Sequence, residues 1–442
     1  MQDSSAQMPR HSLRAVLLVS TVFLALVFLR SPNYAQFSDA GITPFAGDYL
    51  QEWIGGYVVR TDSAVALYDE ARVRSLQHDE HLVGFRWDQS HFFSMVYPPF
   101  YYVLLSPLSY LPYTVSAWIF TLAMVGCYFA TGMLLVRDTH NSGDCSSRCD
   151  ALQSKLRLMP WCIVLALFFV PLIRSLTTGQ KGTLCLLIFT GTYLLLKSKR
   201  SFTAGMMFGL LLFKPQLVVI IGLVMLVKKQ WRFVAGAGTT GLLYAGIMFA
   251  LGPDVCWQYV QFCTGVTDYV HTSGYDLYKS HCLYGFIVLL AGGKATVAVK
   301  CATALAAVLI LGVLWQLLSR KFDPSEDRFG QQFSGLVITS LLLSPHLFTY
   351  DLTILLLPMW LLTVDTLRKQ MTQPSRQATM WLVVGLFVVS GFSHIIAAVG
   401  GLQLTTLLML GLLITLRQTI RGEEKAECRQ LVIDCSPQAA IG

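Results

Sequence analysis

A carboxylate and three cationic side chains in this sequence are of the types needed to displace a phosphate leaving group. The carboxylate is Asp48, and the cations are Arg174, Lys214 and His346, each at an end of, or a break in, an apolar run. A carboxylate within reach of an acceptor hydroxyl can take its proton. Cations stabilise the negative charge that develops on a departing phosphate oxygen. The combination predicts transfer from a phosphate donor, with Asp48 as general base.

Each of these residues also has a structural interpretation. Asp48 precedes an amphipathic stretch and could simply cap a helix, since Asp is a favoured N-cap residue. Lys214-Pro215-Gln216 interrupts an apolar stretch, which predicts two short helices with Lys214 at the turn between them. An ammonium there must snorkel, pair or face a polar cavity, but Lys214 could also mark a membrane interface. A lone histidine such as His346 is often only a hydrogen-bonded cap at a helix end.

Two further motifs lie beside apolar runs, Tyr97-Pro98-Pro99 and Gly179-Gln180-Lys181. Proline in the first turn of a helix costs no hydrogen bond, so Tyr97 marks a helix start and suits an aromatic belt at the interface. A substrate contact is the less favoured alternative for Tyr97. We expect the remaining carboxylates of this loop at the solvated surface: Asp62, Asp69, Glu70, Asp79, Glu80 and Asp88.

The composition indicates which kind of structural element positions these residues. The chain has 442 residues, of which 54% are hydrophobic and only 13% charged, and apolar runs recur along it. This pattern predicts an all-α polytopic membrane protein with about 10 to 13 transmembrane helices. Two regions, 97–136 and 281–300, leave the number open. The first run, 15–29, is interpreted as an uncleaved span in preference to a signal peptide.

Lysine and arginine cluster in short loops between the runs, so the net charge of +8 reports topology and not nucleic-acid binding. Their distribution predicts that both termini are cytoplasmic and that the candidate residues face the extracytoplasmic side. We expect a single membrane domain over 1–422, with a helical first extracytoplasmic loop at about 31–96. The amphipathic spacing of this loop (Tyr49, Trp53, Ile54, Tyr57 and Val58) suits a helix that lies flat on the membrane surface. Residues 423–442 would form a cytoplasmic tail, and the chain would be a multi-pass protein of the plasma or inner membrane.

The order of short motifs resembles that of glycosyltransferase family 87. The motifs are Gly47-Asp48, Tyr97-Pro98-Pro99, Gly179-Gln180, Lys214-Pro215 and Ser344-Pro345-His346 with Tyr350-Asp351. The resemblance covers roughly 40–365. The chain departs from the family in carrying Lys181 where a small polar residue commonly follows the glutamine.

The resemblance implies a GT-C fold and an inverting hexosyltransferase that takes its sugar, mannose in the family's relatives, from a polyprenyl-phosphate donor. The acceptor would be a lipid or a glycan. Asp48 matches the catalytic aspartate and His346 the donor-phosphate histidine, while Lys214, Arg174, Gln180 and Tyr97 are candidates for substrate binding. We expect no cofactor and no metal, because no acidic pair lies near Asp48, and no nucleic-acid partner, because the basic residues report topology. The sequence also has no Gly-rich nucleotide motif between a strand and a helix, which argues against a nucleotide-sugar donor. A polytopic transporter or a flippase for lipid-linked sugars is the alternative.

Overall fold

The computed structural model describes residues 45–141, 159–272, 277–319, 322–326, 328–368 and 373–435. These residues form helices and turns, together with one isolated bridge between Ser280 and Phe348. The predicted all-α class is therefore confirmed. The first apolar run at 15–29 and the end of the predicted tail lie outside the described residues. Within the described residues the chain divides into two compact units.

The first unit contains the described residues up to Leu277, together with Thr349–Ile354. Its α-helices are α1 Gly47–Thr61, α2 Glu70–Gln77, α3 Glu80–Val83, α4 Pro99–Leu105, α5 Tyr113–Asn141, α6 Met159–Ala166, α7 Val170–Thr177, α8 Gly182–Lys197, α9 Ser201–Gly209, α10 Pro215–Val227, α11 Trp231–Leu251 and α12 Pro253–Thr272. Single 3-10 turns cover Ala64–Tyr68, Ser106–Tyr110 and Leu210–Phe213.

The second unit contains Tyr278–Phe348 and the described residues from Leu355 onward. Its α-helices are α13 Leu283–Leu290, α14 Val297–Leu317, α15 Phe329–Leu343, α16 Leu356–Leu367, α17 Gln373–Val389, α18 Ser393–Gly400 and α19 Leu404–Cys435. Helix α15 is the buried centre of this unit, because nearly all of its side chains are covered. The 3-10 helix Thr349–Leu355 belongs to the first unit up to Ile354.

Five helices of the described residues are long and apolar enough to cross a membrane. They are Tyr113–Thr139, Trp231–Leu251, Val297–Leu317, Thr349–Leu367 and Leu404–Gly422. A sixth span is possible where Pro374–Val389 and Ser393–Gly400 meet at a bend of 76°. Large apolar side chains on two of these helices are open to the surroundings, such as Phe249 at 80% and Val297 at 77% exposure. These faces suit contact with lipid.

The two regions that the sequence left open each contribute one long helix. In 97–136 only α5 is long enough, since α4 has 7 residues. In 281–300 the helix α13 has 8 residues, and the span that follows begins at Val297. A helix that crosses a bilayer upright needs roughly 20 residues, so α4 and α13 do not cross alone. The total of 10 to 13 spans stays a prediction.

Helix α1 belongs to the helical segment predicted for the first loop, but it does not lie flat on a surface. Most of its own side chains are buried within the protein, including Tyr49, Trp53 and Ile54. Gly55 allows the approach of α4, because a Cβ there would lie 2.1 Å from the Tyr102 ring. The apolar spacing therefore reflects burial within the protein and not docking on a membrane surface.

Glycines bring α9 and α11 into backbone contact. A Cβ on Gly205 would lie 1.9 Å from the carbonyl oxygen of Phe233, and a Cβ on Gly236 would lie 2.0 Å from that of Phe202. Small residues at such crossings let membrane helices pack closely. This contact fixes α9, whose continuation ends at Lys214.

We therefore expect Gly236→Ala to destabilise the protein by about 1–3 kcal/mol, the usual cost of overpacking. Gly238→Ala is the matched control, because it lies on the same helix and its Cβ would meet open space. It should leave the melting temperature unchanged or slightly higher, since alanine favours helix more than glycine. Thermal unfolding in detergent measures both. Equal melting temperatures for the two variants would contradict the close crossing.

Candidate active site

Asp48 lies in the first turn of α1 and is held by the loop that follows α7. Its backbone N–H donates to the carbonyl of Thr178 at 3.0 Å, and its Oδ2 accepts a hydrogen bond from Nε2 of Gln180 at 2.8 Å. The N-cap of α1 is Ala46, with φ of 51°. The Asp48 side chain is therefore turned toward another segment and does not cap its own helix.

The turn that carries Gln180 can form only because residue 179 is glycine. Gly179 has φ of +74°, and a Cβ there would lie 2.8 Å from Cβ of Tyr49. After this glycine, the N–H of Gln180 donates to the carbonyl of Ser175 at 2.8 Å. The Ser175 hydroxyl accepts from the N–H of Gly182 at 3.1 Å. This turn directs Gln180 toward Asp48.

A buried ion pair lies next to this contact. Nζ of Lys181 donates to Oε1 of Glu52, and both side chains are completely buried. The hydroxyl of Tyr101 donates to the other oxygen of Glu52 at 2.6 Å. The ammonium of Lys181 also lies 3.9 Å from the centre of the Tyr97 ring. The lysine thus has a carboxylate on one side and aromatic faces on another.

A second buried ion pair lies where α9 and α10 meet. Nζ of Lys214 donates to Oδ1 of Asp351 at 2.6 Å, and the two side chains are 5% and 4% exposed. Lys214 has an extended backbone (φ −122°, ψ 72°) because Pro215 follows it. The expected turn between two short helices is confirmed, and its lysine pairs instead of snorkelling.

The pairing leaves Asp48 in a distinct electrostatic position. Of the carboxylates in this cluster, Glu52 and Asp351 bind lysines, whereas the carboxylate of Asp48 is held by an amide. Asp48 lies outside the candidate spans, and burial raises its pKa above the ordinary 3.8. The Gln180 hydrogen bond and the charge of Lys181 only partly oppose that rise. The residue as a whole is partly exposed.

The loop carboxylates differ from Asp48 as expected. Asp62 binds the N–H of Ser63 and the guanidinium of Arg72, and these contacts lower its pKa. Asp69 and Asp79 cap α2 and α3. Their placement at the surface or at helix caps is consistent with ordinary structural roles, so Asp48 is the better candidate for a base.

The structure brings only some of the predicted site residues together. Asp48 and Gln180 are in contact, and Tyr97 covers Lys181. Arg174 is exposed in the last turn of α7. His346 belongs to the second unit, where its ring packs edge-on against Phe348 at 4.2 Å. The roles of Arg174 and His346 in binding substrate stay predictions.

Three charged residues of this cluster were not among the predicted site residues. Glu52 carried a usable signal, because it follows Asp48 by four positions and lies on the same face of a helix. Lys181 stands directly beside Gln180 at the start of an apolar helix, which is an expensive place for an unpaired charge. Asp351 was noted only as part of a motif. Which lysine pairs with which carboxylate could not be derived from spacing.

Comparison with known families gives one match, to the model described as glycosyltransferase family 87, over residues 95–345. This is more than half of the chain. The chain belongs to glycosyltransferase family 87. It is therefore a membrane glycosyltransferase, as the order of motifs indicated. No curated protein and no solved structure matches it.

The family match covers one part of the cluster directly. Tyr97, Gln180, Lys181 and Lys214 lie inside the matched residues, whereas Asp48 and the segment from His346 to Asp351 lie outside them. The glycosyltransferase assignment thus does not depend on the choice of Asp48 as base. The contacts of Asp48 with Gln180 and Thr178 connect it to the matched part of the chain.

We expect the removal of one partner of the Lys214–Asp351 pair to destabilise the fold strongly. Lys214→Met should destabilise the protein by about 3–5 kcal/mol, because it leaves a buried carboxylate without its cation. The double variant Lys214→Met/Asp351→Leu should recover most of that loss. Arg86→Met is the control, since it removes a pair whose side chains are 83% and 49% exposed, and such pairs contribute little. Melting temperatures in detergent give the comparison, and equal melting temperatures for Lys214→Met and Arg86→Met would contradict it.

Proposed function

We propose that this glycosyltransferase transfers a hexose, mannose by family resemblance, from a polyprenyl-phosphate sugar to a lipid or glycan acceptor. The observation that carries the proposal is the environment of Asp48. It is a carboxylate with a raised pKa on a partly exposed residue, held by an amide beside two lysine–carboxylate pairs. A base of this kind can take a proton and is not neutralised by a cation of its own.

The chemistry follows from direct displacement at the anomeric carbon. Asp48 accepts the proton of an acceptor hydroxyl as its oxygen forms a bond to C1 of the sugar. The bond between C1 and the phosphate oxygen breaks, and the lipid phosphate leaves with the electron pair. A single displacement of this kind inverts the configuration at C1. Gln180 donates to Oδ2 of this carboxylate and holds it in place for the transfer.

Cationic groups would meet the charge that develops on the phosphate. We assign this role to Lys214, with Arg174 as a further contact, and we assign Tyr97 and Gln180 to the wall of the site. By family resemblance we also assign a donor-phosphate contact to His346. Lys214 is bound by Asp351 at 2.6 Å. A phosphate that binds Lys214 would therefore share its ammonium with Asp351. The ammonium has three N–H donors, so two remain for the ligand.

Two features support an active site on the extracytoplasmic side. Helix α8 has 16 residues and a length of ~24 Å, with Lys181 at its start and the basic segment 197–200 at its end. Helix α10 likewise begins at Lys214 and ends before Lys228 and Lys229. Basic loops favour the cytoplasmic side of a membrane. The candidate site lies at the opposite ends of the same helices, as expected for a protein of the plasma or inner membrane.

The assignment of the base is tested by Asp48→Asn, which keeps the shape and removes the negative charge. We expect transfer of label from a radiolabelled polyprenyl-phosphate hexose to fall by about 100- to 10,000-fold, the usual contribution of a general base. Asp62→Asn is the matched control, because Asp62 ends the same helix and binds only Ser63 and Arg72 at the surface. Equal transfer by wild type and Asp48→Asn would exclude Asp48 as the base.

The pH dependence gives a second test. Asp48 must be ionised to act, so kcat/KM falls as the pH falls through its pKa. Because burial raises that pKa above 3.8, the acid limb should lie above pH 3.8. Gln180→Leu removes the hydrogen bond that lowers the pKa, and the limb should move to higher pH. An acid limb at the same pH in wild type and Gln180→Leu would assign the titration to another group.

A further inference from the structure

Two neighbouring residues of one turn bind two residues of α1 that are one helical turn apart. Gln180 donates to Asp48, and Lys181 donates to Glu52. Residues four apart lie on the same helix face, so the two contacts run side by side. A backbone hydrogen bond from Asp48 to Thr178 adds a third connection at 3.0 Å. The turn and the helix are thus joined at three successive points.

Of these three connections, the one between Lys181 and Glu52 is ionic, and it is fully buried. The side chains of Glu52 and Lys181 are both 0% exposed. Tyr101 donates to Glu52 at 2.6 Å, and the rings of Tyr97 and Tyr101 lie 3.9 and 5.2 Å from the ammonium. Such a pair adds little net stability over apolar residues, but it is strongly selective for one arrangement of its partners.

Lys181 has no route to a substrate, because its ammonium is enclosed by Glu52 and two tyrosines. Apart from the effect of its charge on the pKa of Asp48, Lys181 can act on the reaction through the residues that it holds in place. The direct neighbour is Gln180, whose amide binds the Asp48 carboxylate. The turn before it contains Gly179 at φ +74°, a residue with unusual backbone freedom. Lys181 directly follows Gln180 in the chain, so its pair with Glu52 would restrict the backbone freedom that Gly179 gives to the turn.

We propose that Lys181 is a positioning residue of this enzyme: its ion pair with Glu52 fixes the turn so that the Gln180 amide is held on the Asp48 carboxylate. The inference rests on the proposed function in one respect only, the use of Asp48 as base. The ion pair sets the place of Gln180, and Gln180 sets the orientation of Asp48. Lys181 therefore affects the rate of the chemical step and not the affinity for donor.

The test compares Lys181→Met, Gln180→Leu and the double variant, with Lys197→Met as matched control. Lys197 lies at the other end of the same helix and also pairs with a carboxylate, that of Asp138 at 2.7 Å. We expect Lys181→Met to lower kcat by about 10- to 100-fold, as for a small displacement of a catalytic group, with KM for the donor unchanged. Added to Gln180→Leu, the same change should cost about twofold at most, since both act in one network.

Hydrogen exchange gives a readout that does not require activity. The amides of Asp48 and Gln180 bind the carbonyls of Thr178 and Ser175, and both should exchange faster in Lys181→Met than in wild type or Lys197→Met. Glu52→Gln keeps an acceptor for Tyr101 and should have a smaller effect of the same kind, which covers the case in which Lys181→Met fails to fold.

Three results would overturn the proposal. These are unchanged exchange at Asp48 and Gln180, losses of kcat that multiply independently in the double variant, or a raised KM with unchanged kcat. Failure of the proposed function has a different signature. Wild type would then transfer no hexose, or Asp48→Asn would be fully active, while the exchange at the turn would still respond to Lys181→Met.

Discussion

A charged side chain in an apolar protein interior must find its counter-charge within the molecule, and this constraint organises the first unit. Transfer of an isolated ion from water into such an interior costs several kcal/mol or more even after relaxation. The chain satisfies this constraint with two buried ion pairs, Lys181 with Glu52 and Lys214 with Asp351. In each pair the lysine begins one helix and the carboxylate comes from a distant part of the chain. The pairs therefore fix helix ends against each other where the site lies.

The same two ion pairs determine which carboxylate of the cluster can act as a base. Once both lysines are occupied by Glu52 and Asp351, the Asp48 carboxylate is left with neutral partners, the side chains of Gln180 and Thr178, and with the more distant charges of the two ammonium groups. A carboxylate paired directly with a lysine would be a weaker base. Asp48 retains its basicity because the nearby cations are already bound elsewhere. The ion pairs thus contribute to reactivity without contact with the substrate.

Sequence patterns gave the class of the protein, the family and several helix ends, because those depend on local properties. Apolar run length predicted membrane helices, Pro99 and Pro215 marked helix starts, and the break at Lys214 lies where its cost indicated. The partners of the charges could not be obtained in this way. Glu52 and Lys181 are 129 positions apart, and Lys214 and Asp351 are 137 apart. Such pairing is decided by tertiary packing, which the spacing of apolar residues does not specify.

The amphipathic pattern of α1 shows why a correct local pattern can suggest the wrong environment. Its aromatic and aliphatic residues suit either a lipid interface or a protein interior, since both reward burial of apolar area. The position of Glu52 on the helix distinguishes a lipid interface from a protein interior. At a membrane surface this carboxylate would remain in water, whereas here it is fully buried and needs Lys181. The glycines at 55 and 56, which admit Tyr102 and the backbone of Ser106, favour the interior as well. A polar residue on the apolar face of a helix, with glycines beside it, is thus evidence for burial against another chain segment, and it directs the search for a partner of opposite charge.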